Sequence, residues 1–163
     1  TGLRISEACG LRRGDIDWKD LRTYVIGKGN KEALVRFSRR SIQALRDYLS
    51  ARAELDGSTG KPLASLPLFA RHDMGAGKKV KPVQPHGMWA AVKEVAQKAG
   101  VDPAEIRVHD FRHYFVTKVY LATRDIKATK DLARHADIST TSRYTHLDSE
   151  LDDIFNDVFN PKK

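Results

Sequence analysis

The chain has 163 residues, enough for one compact domain with a single core, and its 40% hydrophobic and 31% charged residues fit an ordinary soluble globular protein. A formal net charge of +8 points to a polyanionic partner, nucleic acid first and an anionic membrane surface second, although a solvated basic surface gives the same number. A single cysteine, Cys9, excludes an internal disulfide and fits a cytoplasmic or other reducing compartment, and no apolar run approaches the roughly 18 residues of a membrane span.

In chain order, Ser6 and Glu7 open a short helix whose inner side carries Ala8, Cys9 and Leu11, and Gly14-Asp15 breaks it. Cys9 reads as a core residue. Three β-rich stretches follow, Ile16–Trp18, Thr23–Ile26 and Leu34–Phe37, the last two joined by the basic hairpin turn Gly27-Lys28-Gly29-Asn30-Lys31. Ser41 is the expected N-cap of a helix carrying Ile42, Leu45, Tyr48 and Leu49. Residues 56–62 read as a Gly/Ser/Pro loop, Leu66–Phe69 as a short buried segment, and the Gly- and Lys-rich residues 74–82 as an exposed, mobile loop. Met88, Trp89, Val92, Val95, Ala96 and Ala99 recur at helical spacing, and Gly100 ends that helix. After Pro103 the chain predicts a helix over His109–Leu121 with Phe111, Phe115 and Val119 on its core face. Further helices are predicted over Asp125–Ala133 and Thr140–Leu147, and an amphipathic one carries Leu151, Ile154, Phe155, Val158 and Phe159. The sum is a mainly α domain with one small antiparallel β-sheet near the N-terminus, an α+β class without internal repeats.

His109-Asp110-Phe111-Arg112 places an imidazole and a guanidinium one helical turn apart, off the face that Phe111 and Phe115 are expected to bury. That pair is poor core material but a good phosphate clamp, because a guanidinium forks onto two phosphoryl oxygens and an imidazole can move a proton. Downstream lie His135 and Tyr144-Thr145-His146. Upstream, Gly2-Leu3-Arg4-Ile5-Ser6-Glu7 offers a second arginine.

Taken together these segments resemble the tyrosine recombinases of the phage-integrase type. Thr1 to Glu7 looks like their first-arginine box, residues 25–31 like their hairpin lysine, and His109 to Arg112 like their His-x-x-Arg box. His135, followed by Ser139-Thr140-Thr141 and Tyr144-Thr145-His146, looks like their second histidine and nucleophile segment. The match runs in the family's order from Thr1 to about Leu147. It implies the tyrosine-recombinase (DNA breaking-rejoining enzyme) catalytic-domain fold across residues 1–163. It also implies a site-specific DNA recombinase or integrase that cuts and rejoins double-stranded DNA without metal, ATP or other cofactor.

By the resemblance Tyr144 is the nucleophile that forms a 3′-phosphotyrosine and frees a 5′-hydroxyl. Arg4 and Arg112 hold the non-bridging oxygens, Lys28 protonates the leaving oxygen, His109 assists proton transfer at the nucleophile, and His135 bonds the phosphate. Glu7 supports Arg4, and Lys31, Arg134 and Arg143 are expected DNA contacts. A tyrosine hydroxyl with a pKa near 10 needs such help, and clustered cations supply it. One departure is visible: Leu132-Ala133-Arg134-His135 puts Arg134 where the family has glycine, which adds bulk and charge at a close backbone approach and bears on the placement of His135. Because the chain opens at Thr1 in mid-motif, it reads as a fragment lacking an N-terminal arm domain. The full-length protein is expected to form a homotetramer on synapsed DNA, and this fragment to be monomeric alone.

Other readings stand beside this one. His109 and His113 have zincin-like spacing, but no third ligand is evident and Arg112 would repel the metal, so His113 is read as a packing residue. Residues 131–144 resemble a helix-turn-helix, with Ala133 at the tight-packing position and Ser139 capping a recognition helix, which would suit a DNA-binding regulator without catalysis. A type IB topoisomerase shares the chemistry.

Overall fold

The computed structural model describes residues 1–27, 32–72, 79–135 and 137–144. The loop expected within residues 74–82 is described only from Lys79 onward, and the helices expected beyond Tyr144 lie outside the described residues. Two compact units divide the chain, one holding Thr1 and Leu3–Asp110, the other Gly2 and Phe111–Lys163.

In the first unit, helix α1 (Ile5–Gly10) leads through one 3-10 turn (Arg13–Asp15) into strands β1 (Ile16–Asp17), β2 (Arg22–Ile26) and β3 (Glu32–Arg36). They form an antiparallel sheet in the order β1-β2-β3, with Thr23 opposite Ile16 and Val35, and Ile26 opposite Glu32. Alternation decides the faces: Thr23, Val25 and Val35 are buried, whereas Tyr24 and Ile26 face outward. Helix α2 (Arg39–Ala51) packs Ile42, Leu45 and Leu49 into the core with Leu11, Ile16, Val25, Val35 and Leu68. Its N-cap is Ser38, whose hydroxyl accepts from the Ser41 amide at 3.1 Å, so the expected cap at Ser41 is displaced by one turn. Ser41 instead supplies the capped N–H.

The stretch read as a loop from residue 56 contains the most buried charge of this unit. Helix α3 (Ala53–Gly57) carries Asp56, fully buried and ion-paired with Arg52 at 2.9 Å and Arg13 at 2.5 Å. Arg52 also donates to the carbonyls of Pro67 and Leu68 at 2.8 and 3.1 Å, so the cluster ties the 3-10 turn, α2, α3 and the segment after the second 3-10 turn (Leu63–Ser65). Removing one partner of such a group leaves the others charged and dehydrated. Asp56→Ala is therefore expected to lower stability by about 3–5 kcal/mol, read as the urea midpoint of the cooperative transition.

Helix α4 (Pro85–Lys98) closes the unit's described helices, with Gly100 at φ +77° just beyond it. Its inner stripe is Met88, Val92 and Ala96; Val95 and Ala99, expected on the core face, are exposed. Met88 lies over Cys9 of α1, with the two sulfurs 3.8 Å apart, and burial raises the Cys9 thiol pKa above its ordinary value.

The described elements of the second unit are α5 (Asp110–Thr123, whose first residue belongs to the first unit), α6 (Ile126–Ala133) and α7 (Ser139–Ser142). Its core is Val116, Tyr120, Ala133 and Tyr144, with Phe115 and Ile126 against it. Phe111, expected in the core of α5, is 57% exposed, because the fully buried stripe runs through Val116 and Tyr120, with Phe115 and Val119 only partly buried beside it. Asp125 caps α6 by accepting from the Lys127 and Ala128 amides at 2.7 and 3.1 Å.

Candidate active site

Gly2 takes φ +60°, and a β-carbon there would stand 2.4 Å from the Phe115 ring, so both backbone angle and space demand glycine. Its carbonyl accepts from Arg112 Nη1 at 2.5 Å and from Arg134 Nη2 at 3.0 Å. Arg112 also donates through Nη2 to the carbonyl of Ala133, the last residue of α6. Two backbone carbonyls thus orient the Arg112 guanidinium, which is half-buried on α5.

The turn after α6 brings in the next two groups. Arg134 has φ 57° and ψ 44°, its amide bonds the Asp131 carbonyl at 3.1 Å, and the His135 amide bonds the Lys130 carbonyl at 3.0 Å. This is a Schellman-type helix end, whose left-handed residue is usually glycine. His135 emerges directly from it and places Nδ1 2.8 Å from Oγ1 of the fully buried Thr141. Thr141 in turn accepts the Tyr144 amide on its carbonyl at 3.0 Å, so His135 and Tyr144 are braced by one residue of α7.

Tyr144 is 9% exposed, and its hydroxyl lies 2.5 Å from Nδ1 of His113. Burial raises the phenol above its usual pKa, while the positive charges of Arg112 and Arg143 pull it back by a smaller amount. A neutral phenol beside an imidazole and within the field of two guanidinium groups is the arrangement from which a proton can be withdrawn as negative charge develops on oxygen. His113 is exposed and bonded to Tyr144, so its reading as a packing residue is corrected.

In the first unit, Arg4 and Glu7 are joined twice. The Arg4 amide and its Nη1 each donate to a Glu7 carboxylate oxygen at 2.8 Å, and the Glu7 side chain is only 9% exposed. His109 is exposed and precedes α5, which begins at Asp110, so the two residues of the His-x-x-Arg box do not share a helix as expected. The helix starts late because Asp110 accepts the Arg107 amide at 2.6 Å, fixing a turn before the first helical residue. Lys28 and Lys31 lie outside the described residues. The helix-turn-helix reading loses its cap: Ile138 precedes α7, Ser139 is its first residue, and the described helix is four residues long.

The motif of the phage integrase family matches residues 1–150 of this chain. The chain belongs to the phage integrase family. Its relatives there include the tyrosine recombinase XerD of Corynebacterium glutamicum, 32% identical over 150 residues that make up 92% of this chain and 46% of that protein. The tyrosine recombinase XerC of Xylella fastidiosa is 30% identical over 162 residues, 99% of this chain and 50% of that protein. The chain thus spans about half the length of these relatives. Among solved structures, the crystal structure of XerA recombinase superposes with a TM-score of 0.73 at 28% identity, over 100% of this chain and 54% of that one. The XerH site-specific recombinase bound to palindromic difH substrate gives the same TM-score at 24% identity, over 98% of this chain and 42% of that one, a likeness of fold. The α+β architecture with a small antiparallel sheet is accordingly the tyrosine-recombinase catalytic-domain fold.

Arg134, where the resemblance led us to expect glycine, is the left-handed residue of the helix end, a conformation that glycine adopts without strain. Arginine accepts a backbone strain of about 1–2 kcal/mol and recovers part of it by bonding the Gly2 carbonyl. No helix among the described residues is long and apolar enough to cross a membrane.

Proposed function

We propose that this chain is the catalytic part of a site-specific DNA recombinase that exchanges strands through a 3′-phosphotyrosine on Tyr144, without metal ion or ATP. The observation that carries the reading is the Tyr144 hydroxyl held against an imidazole in the field of Arg112, in a member of a family whose relatives are named tyrosine recombinases. Tyr144 Oη attacks a DNA phosphorus, the bond to the 5′-oxygen breaks, and a proton is delivered to that oxygen. Arg4 and Arg112 take the non-bridging oxygens, and the Glu7 carboxylate fixes the Arg4 guanidinium through its ion pair. His135 bonds the phosphate, His109 assists at the nucleophile, and Lys28 is the acid. Arg134, Arg143 and Lys31 contribute contacts to the DNA backbone. The diester energy is conserved in the phosphotyrosine, so a 5′-hydroxyl can reverse the step. The protein is read as cytoplasmic, monomeric alone and tetrameric on synapsed DNA.

The reading is tested with nicked duplexes carrying a randomised cleavage segment, incubated in EDTA without nucleotide and resolved on a denaturing gel. A covalent protein–DNA band supports it; reversible binding without a band supports the regulator, and a band that requires magnesium or zinc counts against it. Lys28 is tested on the duplex recovered from that band. Lys28→Ala is expected to slow cleavage about 10²–10⁴-fold and to approach the wild-type rate when the bridging 5′-oxygen is replaced by sulfur, because a thiolate leaves without a proton. Lys31→Ala is the control. If Lys31→Ala is the variant that sulfur restores, the acid lies three residues further along the hairpin.

A further inference from the structure

We propose that His113 is a catalytic residue of this protein: its Nδ1 removes the proton from Tyr144 Oη as that oxygen attacks phosphorus. The inference rests on the reading of Tyr144 as nucleophile and adds the destination of its proton.

Three observations carry it. The Nδ1 to Oη distance is 2.5 Å, within reach for direct transfer, and the two rings are tilted by 40° with centroids 6.2 Å apart, so the contact is between heteroatoms and not a stack. The pair is fixed from both sides. His113 is held on α5 next to Arg112, which is anchored to the Gly2 and Ala133 carbonyls, and Tyr144 is buried among Val116, Tyr120 and Ala133. His113 is itself exposed, so a proton accepted at Nδ1 can be passed on to solvent.

Among the described residues, the imidazole bonded to Oη is that of His113 and not that of His109, whose assisting role then comes after this first transfer, and the remaining groups acting on the oxygen cannot take its proton. Arg112 on α5 and Arg143 after α7 are the charged groups acting on the phenol, and a guanidinium remains protonated. His135 is turned to Thr141. Burial holds the phenol neutral, which leaves its proton to be removed during attack. The step balances: the P–Oη bond forms, the P–O5′ bond breaks, the phenolic proton goes to His113, and the leaving oxygen takes a proton from the separate acid. In rejoining, imidazolium at His113 returns the proton to the departing Tyr144 oxygen.

His113→Asn is the informative variant, since its amide oxygen can stand near the Nδ1 position and accept a hydrogen bond but cannot take a proton. On the recovered nicked duplex, covalent-adduct formation by His113→Asn is expected to fall about 10²–10⁴-fold, with DNA affinity and melting temperature kept near wild type. A variant that keeps the rate, or that runs faster than wild type, overturns the proposal; the faster result would make the contact a latch on the tyrosine. Tyr144→Phe run in parallel separates the two claims, because an adduct surviving there removes Tyr144 as nucleophile whatever His113 does. A second arm needs no DNA. In nitrogen-15 spectra of histidine-labelled protein, His113 is expected as the Nε2–H tautomer with Nδ1 accepting, and the Nδ1–H tautomer overturns the proposal.

Discussion

Tyr144→Phe is expected to give no covalent adduct while binding DNA within a few-fold of wild type. The ring remains packed against Val116, Tyr120 and Ala133, and what is lost is one oxygen and its bond to His113. Losing the proposed nucleophile removes the covalent route entirely. The cationic side chains assigned to the phosphate are untouched, so affinity and its steep decline with added salt are expected to persist. Gel retardation and denaturing electrophoresis on the same nicked duplex measure both quantities at once. A surviving adduct moves the nucleophile to another residue.

Arg112→Ala is expected to show the second largest effect, and a composite one. The guanidinium is assigned to the non-bridging oxygens, and withdrawing one preorganised donor from a developing phosphorane costs about 10²–10³-fold in rate. The same side chain bonds the carbonyls of Gly2 and Ala133, so its removal takes one donor from each, leaving Gly2 only its bond from Arg134, and loosens the end of α6 that delivers His135. A drop in melting temperature of a few degrees is expected with the loss of rate. Sulfur at the bridging position does not restore this variant, because sulfur changes the leaving group and leaves the demand at the non-bridging oxygens as it was. Restoration by sulfur would reassign Arg112 to the leaving oxygen.

The parts of this protein that could be read from sequence are those fixed by local chemistry. The antiparallel pairing of β2 and β3 was legible in its alternation, and the family in the wording of its boxes. What sequence hid depends on tertiary choice. Helix α5 offers two apolar stripes, one through residues 111, 115 and 119 and one through 116 and 120, and periodicity alone does not choose between them. The second is the one fully buried, and of the first Phe115 packs beside it while Phe111 is exposed. Continued back by three residues from Val116, it arrives at His113, so the stripe that excludes Phe111 also aims His113 at Tyr144. That continuation is the signal that could have identified His113 beforehand.

Asp56 was hidden because a Gly/Ser/Pro-rich neighbourhood resembles solvent-exposed loop, whereas its two arginine partners lie 4 and 43 residues away along the chain. The αL angle of Arg134 was likewise invisible, because an arginine gives no local sign of a left-handed backbone. Ser38 and Ser41 are chemically equivalent caps, and the structure uses both, one as acceptor and one as capped amide.

The most direct test of the central claim is to digest the purified covalent adduct with protease and nuclease and to sequence the modified peptide by mass spectrometry. The expected result is a single deoxynucleotide joined through its 3′-phosphate to Tyr144, with a 5′-hydroxyl on the released strand. A 5′-phosphate linkage, or a nucleotide on any residue other than Tyr144, would contradict it.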